Sequence, residues 1–286
     1  MASLEMTAVS VVIPTYNRAP MVTRAVASVL YQTFQDFELI VVDDASDDNT
    51  PDLLSHFGPL ITLIRHPRNL GVSAARNTGV KASCAPLVAF LDSDDYWLPG
   101  KLEAQVSFLR ENPGAVACQT EEIWIRKGLR VNPRKKHLKP SGDIFLASLK
   151  LCLVSPSAVM VRASLFRDLG LFDETLPACE DYDLWLRISS HYPIHLIKEY
   201  LVVKEGGHSD QLSARYPGMD RFRIRAMKKL LEKDALNRRQ REATLAELTV
   251  KCRIYGEGCL RRGKKEEGEY YLRLPERLKN SKSRIT

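Results

Sequence analysis

The chain has 286 residues, 44% of them apolar, which bounds it to one or two domains and allows a large core. No run approaches the ~20 apolar residues of a membrane-spanning helix, Met1 to Ala8 is too short and polar for a signal peptide, and six cysteines without C-x-x-C or zinc spacing exclude a zinc cage and read as reduced thiols of a cytoplasmic protein. The formal net charge of +7 is uneven: residues 1–203 carry 20 Lys and Arg against 23 Asp and Glu, and residues 204–286 carry 22 against 12.

The first half alternates strand and helix signals. Val9 to Ile13 is a β-branched run stopped by Pro14, and Val22, Ala25, Val26, Val29 and Leu30 fall on one face of a helix. Glu38 to Val42 is a second buried strand, ending in Asp43-Asp44-Ala45-Ser46. A short helix starts at Asn49 or Thr50, with Pro51 in its first turn. Leu60 to Ile64 is a third strand, Ser73 to Ala82 a helix, and Leu87 to Leu91 a fourth strand running into Asp92-Ser93-Asp94-Asp95. Pro99 opens a helix to about Glu111, and Ala115 to Gln119 is the next strand. This order predicts an α/β fold with a doubly wound, mostly parallel sheet flanked by helices.

Arg126 to Asp143 is polar and basic and reads as a loop. A helix over Ile144–Leu151, a strand over Ser157–Val161, a helix over Ser164–Leu169, a helix over Asp181–His191 and a strand over Leu196–Val203 follow. Gly206 to Gly218 reads as a loop. Two or three amphipathic helices then run to about Leu274, ahead of a frayed tail. The division expected is a catalytic unit over 1–215 and a basic α-helical extension over 216–286. The basic extension has two readings: a solvated helical surface, or peripheral docking at the inner face of a membrane.

In a parallel sheet the strands end on one edge, so Pro14-Thr15-Tyr16-Asn17, Asp43-Asp44 and Asp92-Ser93-Asp94 converge on one crevice. Asp-X-Asp there is a hard oxygen site suited to Mg2+ or Mn2+ with a ligand's phosphates. Asp44 either contacts a nucleoside or closes an Asx-turn; Asp43 points to the other face. Gly71 permits close backbone approach, and the helix N-terminus near Ser73 offers N–H groups to an anion. Arg76 either orders carboxylates and phosphates in the crevice or bridges to an acidic neighbour. Glu180-Asp181 either serves the helix dipole or supplies a general base.

Taken together, Val11-Val12-Ile13-Pro14-Thr15-Tyr16-Asn17, Val42-Asp43-Asp44-Ala45-Ser46, Asn69-Leu70-Gly71, Ala75-Arg76-Asn77-Thr78-Gly79, Asp92-Ser93-Asp94-Asp95 and Glu180-Asp181 resemble glycosyltransferase family 2 over roughly residues 8–215. The resemblance implies a GT-A fold and a metal-dependent, inverting transfer of sugar from a nucleotide-diphosphate donor, with a UDP-sugar favoured. The acceptor it implies is a hydroxyl of a saccharide or lipid-linked acceptor, in surface polysaccharide biosynthesis; no nucleic acid is expected as a partner of the basic tail, because the aromatics are few and not interleaved for stacking and the acidic crevice would repel a phosphate backbone. It places Pro14, Thr15, Tyr16, Asp44, Gly71, Arg76, Asp92 and Ser93 on the nucleotide, with Thr15 and Tyr16 lining the base pocket and Asp44 bonded to the base. It implies Asp94 as the ligand of Mn2+ or Mg2+, joined by His208 near the diphosphate, and Asp181 as the catalytic base. The alternatives are a sugar-phosphate nucleotidyltransferase, against which stands the absence of glycine from the segment after the first strand, and a non-catalytic nucleotide-sugar-binding relative.

Overall fold

A computed structural model describes residues 7–132, 135–207, 216, 218–233 and 236–280. Strands β1 (Val9–Thr15) and β2 (Phe37–Asp43) flank α1 (Ala19–Leu30); α2 (Thr50–Ser55), β3 (Thr62–Arg65), α3 (Val72–Ala82) and β4 (Leu87–Phe90) complete the first half. Every residue of β1 is buried, as a strand covered on both faces requires. Its side chains alternate: Val11 and Ile13 join the core under α1, while Val12 joins the core on the opposite face with Phe90 and Trp185. There α3 lies close against β1. A Cβ on Gly79 would stand 2.2 Å from Val12 Cγ1, so only glycine permits this approach.

The second half comprises β5 (Tyr96–Trp97), α4 (Lys101–Glu111), β6 (Ala117–Arg126), β7 (Leu129–Val131), α5 (Phe145–Ser148), β8 (Val159–Arg162), α6 (Ser164–Leu169), α7 (Glu180–Ser189) and β9 (His195–Gly206). The sheet order is β3-β2-β1-β4-β8-β6-β9-β5, with β7 paired to β6. The strands β3, β2, β1 and β4 run parallel, as the alternation predicts. Strand β8 runs antiparallel to both β4 and β6, and β9 runs parallel to β6. Two reversals restore direction, so β6 and β9 end on the same edge as β1, β2 and β4.

Two differences from the sequence reading stand out. Residues 126–143 are not all loop: β6 extends to Arg126 and folds back as β7, with Arg126 facing Leu129. Lys127 (φ 51°) and Gly128 (φ 75°) make the two-residue turn, the pair of positive φ values that a twisted hairpin needs. The tail also holds its helix longer than expected. Helices α8 (Asp220–Glu232), α9 (Arg238–Arg261) and α10 (Lys265–Asn280) close the chain, with Pro275 inside α10. Their core of Phe222, Met227, Leu248, Cys252 and Tyr255 is continuous with Phe145 of α5 and with Tyr182 and Leu186 of α7. The extension therefore packs directly on the helix that carries Asp181. No helix among the described residues is long and apolar enough to cross a membrane.

Candidate active site

Where β1 and β2 end, their loops brace each other. Asn17 N–H donates to Ser46 Oγ (2.9 Å), Asn17 Nδ2 to Asp47 Oδ1 (2.6 Å), and Arg18 N–H to Thr50 Oγ1 (3.0 Å). Asn17 (φ 52°) and Ala45 (φ 64°) both take left-handed backbone here, and Cys179 (φ 61°) does so at the start of α7. Strained non-glycine residues clustered at one sheet edge mark a site whose surroundings enforce its shape. Pro14 and Thr15 are buried at the end of β1, while Tyr16 is 38% exposed at the crevice mouth.

The two adjacent aspartates divide their work. Asp43 closes the turn by accepting from Ser46 N–H at 3.0 Å, and Arg65 Nε lies 3.2 Å from it. Asp44 instead accepts from Leu70 N–H (2.8 Å) and Gly71 N–H (2.7 Å), fixing the 69–71 loop, and meets His66 Nδ1 at 2.7 Å. His66 Nε2 continues to Thr78 Oγ1 at 2.9 Å, tying the loop to α3. The sequence reading missed His66; its only signal is its place just past β3. A carboxylate offers about four lone-pair sites, and these three contacts leave Asp44 one for a ligand.

Arg76 is the centre of the crevice. It is buried, donates from Nη1 to Glu180 Oε1 (2.7 Å) and from Nη2 to Asp92 Oδ1 (2.6 Å), and lies over the Phe172 ring. One guanidinium thus joins α3, the end of β4 and the start of α7, a fork that lysine cannot reproduce. Thr15 Oγ1, Ser73 Oγ and Arg76 Nε are buried here without a hydrogen-bond partner among the described residues. Such atoms concentrated in a crevice fit a polar ligand.

Beyond Asp92, Ser157 braces the acidic loop: its Oγ accepts from Asp92 N–H (3.1 Å) and donates to Asp95 Oδ2 (2.6 Å). Ser93 is buried. Burial raises the Asp94 carboxyl and the Asp92 charge adds to the rise; burial likewise pushes Asp95 well up. Lys204 of β9, also missed in the sequence, faces this loop. Burial works against its ammonium, but Glu122, Asp95, Asp92 and Asp94 overcome that and hold it above the ordinary lysine value. Its Nζ donates to Ser155 Oγ at 3.0 Å. Behind it, Glu122 pairs with Lys139 at 3.1 Å with both side chains buried.

Among the described residues no group of three or more His, Cys, Asp or Glu forms a metal cage. Asp92 and Asp94, two carboxylates whose charges already repel, fit instead a hard cation that takes its other ligands from phosphate and water. His208 lies outside the described residues. Asp181, half-buried at the start of α7, accepts from Tyr182 N–H (2.7 Å) and from the Cys152 thiol (3.5 Å). In the acid-rich first turn of α7, Glu180 reaches Arg76 of α3, while Asp181 keeps one oxygen on the Tyr182 N–H of its own helix and turns the other to Cys152.

A family model described as Glycosyl transferase family 2 matches residues 10–170. An uncharacterized glycosyltransferase of Rickettsia felis is 32% identical over 218 residues, 72% of this chain and 35% of the relative, so the chain spans about a third of that protein's length. An Escherichia coli protein named UDP-Glc:alpha-D-GlcNAc-diphosphoundecaprenol beta-1,3-glucosyltransferase WfgD is 34% identical over 181 residues, 63% of this chain and 69% of the relative. Among solved structures, S. aureus TarS 1-349 in complex with UDP-GlcNAc superposes with a TM-score of 0.73 at 20% identity, covering 94% of this chain and 79% of that one. Mannosyltransferase PcManGT of Pyrobaculum calidifontis, in complex with GDP-Man and Mn2+, gives 0.63 at 16% identity, covering 96% and 86%. These two likenesses show the fold, the GT-A arrangement that the motifs imply.

Proposed function

The chain belongs to glycosyltransferase family 2, and from that premise we propose that it transfers a sugar, with inversion, from a UDP-sugar to a hydroxyl of a lipid-linked saccharide. The observation that carries this reading is the double bridge of Arg76 to Asp92 and Glu180, which gathers the donor loop and the base-bearing helix around one crevice. The E. coli relative's name supports the UDP donor and the diphosphate-lipid acceptor.

In this reading Thr15, Tyr16 and Pro14 wall the base, Asp44 contacts it through its remaining lone pair, and Gly71 lets the loop backbone come close. Asp92, Ser93 and Arg76 order the ribose and diphosphate. Asp94 holds Mg2+ or Mn2+, which when bound supplies positive charge to the departing diphosphate. Asp181 takes the proton of the acceptor hydroxyl as its oxygen attacks the anomeric carbon. The bond from that carbon to the diphosphate breaks, and the nucleoside diphosphate leaves on the opposite face. The Cys152 and Tyr182 contacts keep the Asp181 carboxylate aimed before the acceptor arrives. Peripheral association with the membrane that carries such an acceptor belongs to the same proposal.

The test is a coupled assay of UDP release from UDP-glucose in the presence of a GlcNAc-diphosphate-lipid acceptor. Release that depends on the acceptor supports the reading. Release unchanged by omitting the acceptor, or no release with any UDP-sugar, removes it.

A further inference from the structure

The β6–β7 hairpin presents a basic and apolar tip at the catalytic edge of the sheet. Residues 123–142 hold seven Lys and Arg and no Asp or Glu. Lys139 is occupied by Glu122, but Arg126, Lys127, Arg130 and Lys135 are exposed. Leu129 at the hairpin turn is 72% exposed, and Leu138, beyond β7 and next to the exposed Lys135 turn, is 62% exposed. Large apolar side chains this open, set among cations, are the composition of a surface that enters the headgroup region of an anionic bilayer. Trp124, the one Phe, Tyr or Trp in this stretch, is half-buried against His137 rather than presented as an open platform on which bases could stack.

Strand β6 runs parallel to β9, and Arg126 at its end pairs with Gly206. One residue earlier, Glu205 N–H donates to Asp95 Oδ1 at 3.2 Å. The hairpin therefore springs from the same end of the sheet as the acidic loop, beside the crevice where an acceptor must enter. The C-terminal extension carries more cations, yet on its exposed faces they are interleaved with acids: Arg238 with Glu242 (2.8 Å), Arg273 with Glu269 (3.3 Å) and Lys264 with Glu267 (3.7 Å). Its charge is diluted where the hairpin's is concentrated.

We infer that this hairpin, with the segment that follows it, docks the enzyme on an anionic membrane, Leu129 and Leu138 entering the interface and Arg126, Lys127, Arg130 and Lys135 meeting lipid headgroups. It rests on the lipid-linked acceptor of the proposed function for its purpose, and its evidence is independent of it. Docking there holds the crevice mouth at the surface that carries the acceptor, and turns a three-dimensional search into a local one.

The experiment is co-sedimentation of the full chain with vesicles containing about 30 mol % anionic phospholipid, and with neutral vesicles, at about 0.1 M salt. Each basic residue near an anionic surface is worth about 1 kcal/mol, or roughly fivefold in partition. K127E/R130E is expected to lower partition to anionic vesicles at least about tenfold, and L129E/L138E to lower it comparably. R239E/R253E, on the exposed face of α9, is expected to change it less than about threefold. A thermal shift with UDP is measured on every variant, so that loss of folding or of the nucleotide site is read separately from loss of docking. Equal binding of wild type to neutral vesicles, wild-type partition of K127E/R130E, or full loss in R239E/R253E alone would overturn the inference. So would oligonucleotide binding through the hairpin with no vesicle binding.

Discussion

Arg76 Nη1 stands 2.7 Å from Glu180 Oε1, 104 residues away in sequence, and that contact fixes α7 against α3. Removing the guanidinium leaves Glu180 and Asp92 as buried or half-buried charges without their partner. R76A is expected to lose about 3–5 kcal/mol of stability, read from the denaturant midpoint. R76K should recover less than half, since one ammonium cannot span both carboxylates. Burial and the Asp181 charge already push the Glu180 carboxyl upward against Arg76. Without Arg76 that rise grows, so R76A should regain stability as pH falls below neutrality. Equal losses at pH 7 and pH 5 would contradict this.

Asp94 and Asp181 separate by kinetics. D181N should lower kcat by roughly 10²–10⁴, the span of a general base, and leave the UDP thermal shift intact. D94N should lose the metal-dependent part of that shift. Donor binding lost equally in D181N would remove Asp181 from the base role.

Glu122 reports on the buried pair behind Lys204. Burial alone would raise its carboxyl, but Lys139 and Lys204 overcome burial and hold it at about 2, below the ordinary 4.5. A depressed carboxylate contributes its full stability above its unfolded value and loses it as pH falls through the folded one. That contribution, about 3 kcal/mol, should therefore disappear between pH 4.5 and 2. Urea titrations should show E122Q with a flatter acid profile than wild type; parallel profiles would refute the assignment.

Gly79 is a packing prediction. Because its Cβ would meet Val12 Cγ1 at 2.2 Å, G79A should cost about 1–3 kcal/mol. G79A/V12A should be more stable than the sum of the two single changes, since the second opens the space that the first fills. Strict additivity in thermal melts would show that α3 does not approach β1 this closely.

Much of this was legible in the chain. The buried runs of β1, β2 and β4 and the acidic residues at their ends locate the crevice, because a parallel sheet places strand ends on one edge. The extent of β6 was not legible. The sequence stops this strand at Gln119 and reads Arg126 onward as loop, and only pairing with β9 and β7 carries β6 on to Arg126 and turns the chain back through Lys127-Gly128. Lys204 and His66 were invisible for a similar reason: single polar residues in or after a strand gain meaning from what tertiary packing sets opposite them. The choice between the two readings of Arg76 also waited on the fold, which put two acidic partners within reach rather than one.

In the proposed reading the crevice binds a nucleoside diphosphate through a divalent cation. The most direct test is a thermal-shift titration against UDP, GDP and dTDP, each with Mn2+ or with chelator. UDP with Mn2+ should raise the melting temperature, and chelator or D94N should abolish that rise. A rise that chelator leaves unchanged, or no rise with any nucleotide, would contradict it.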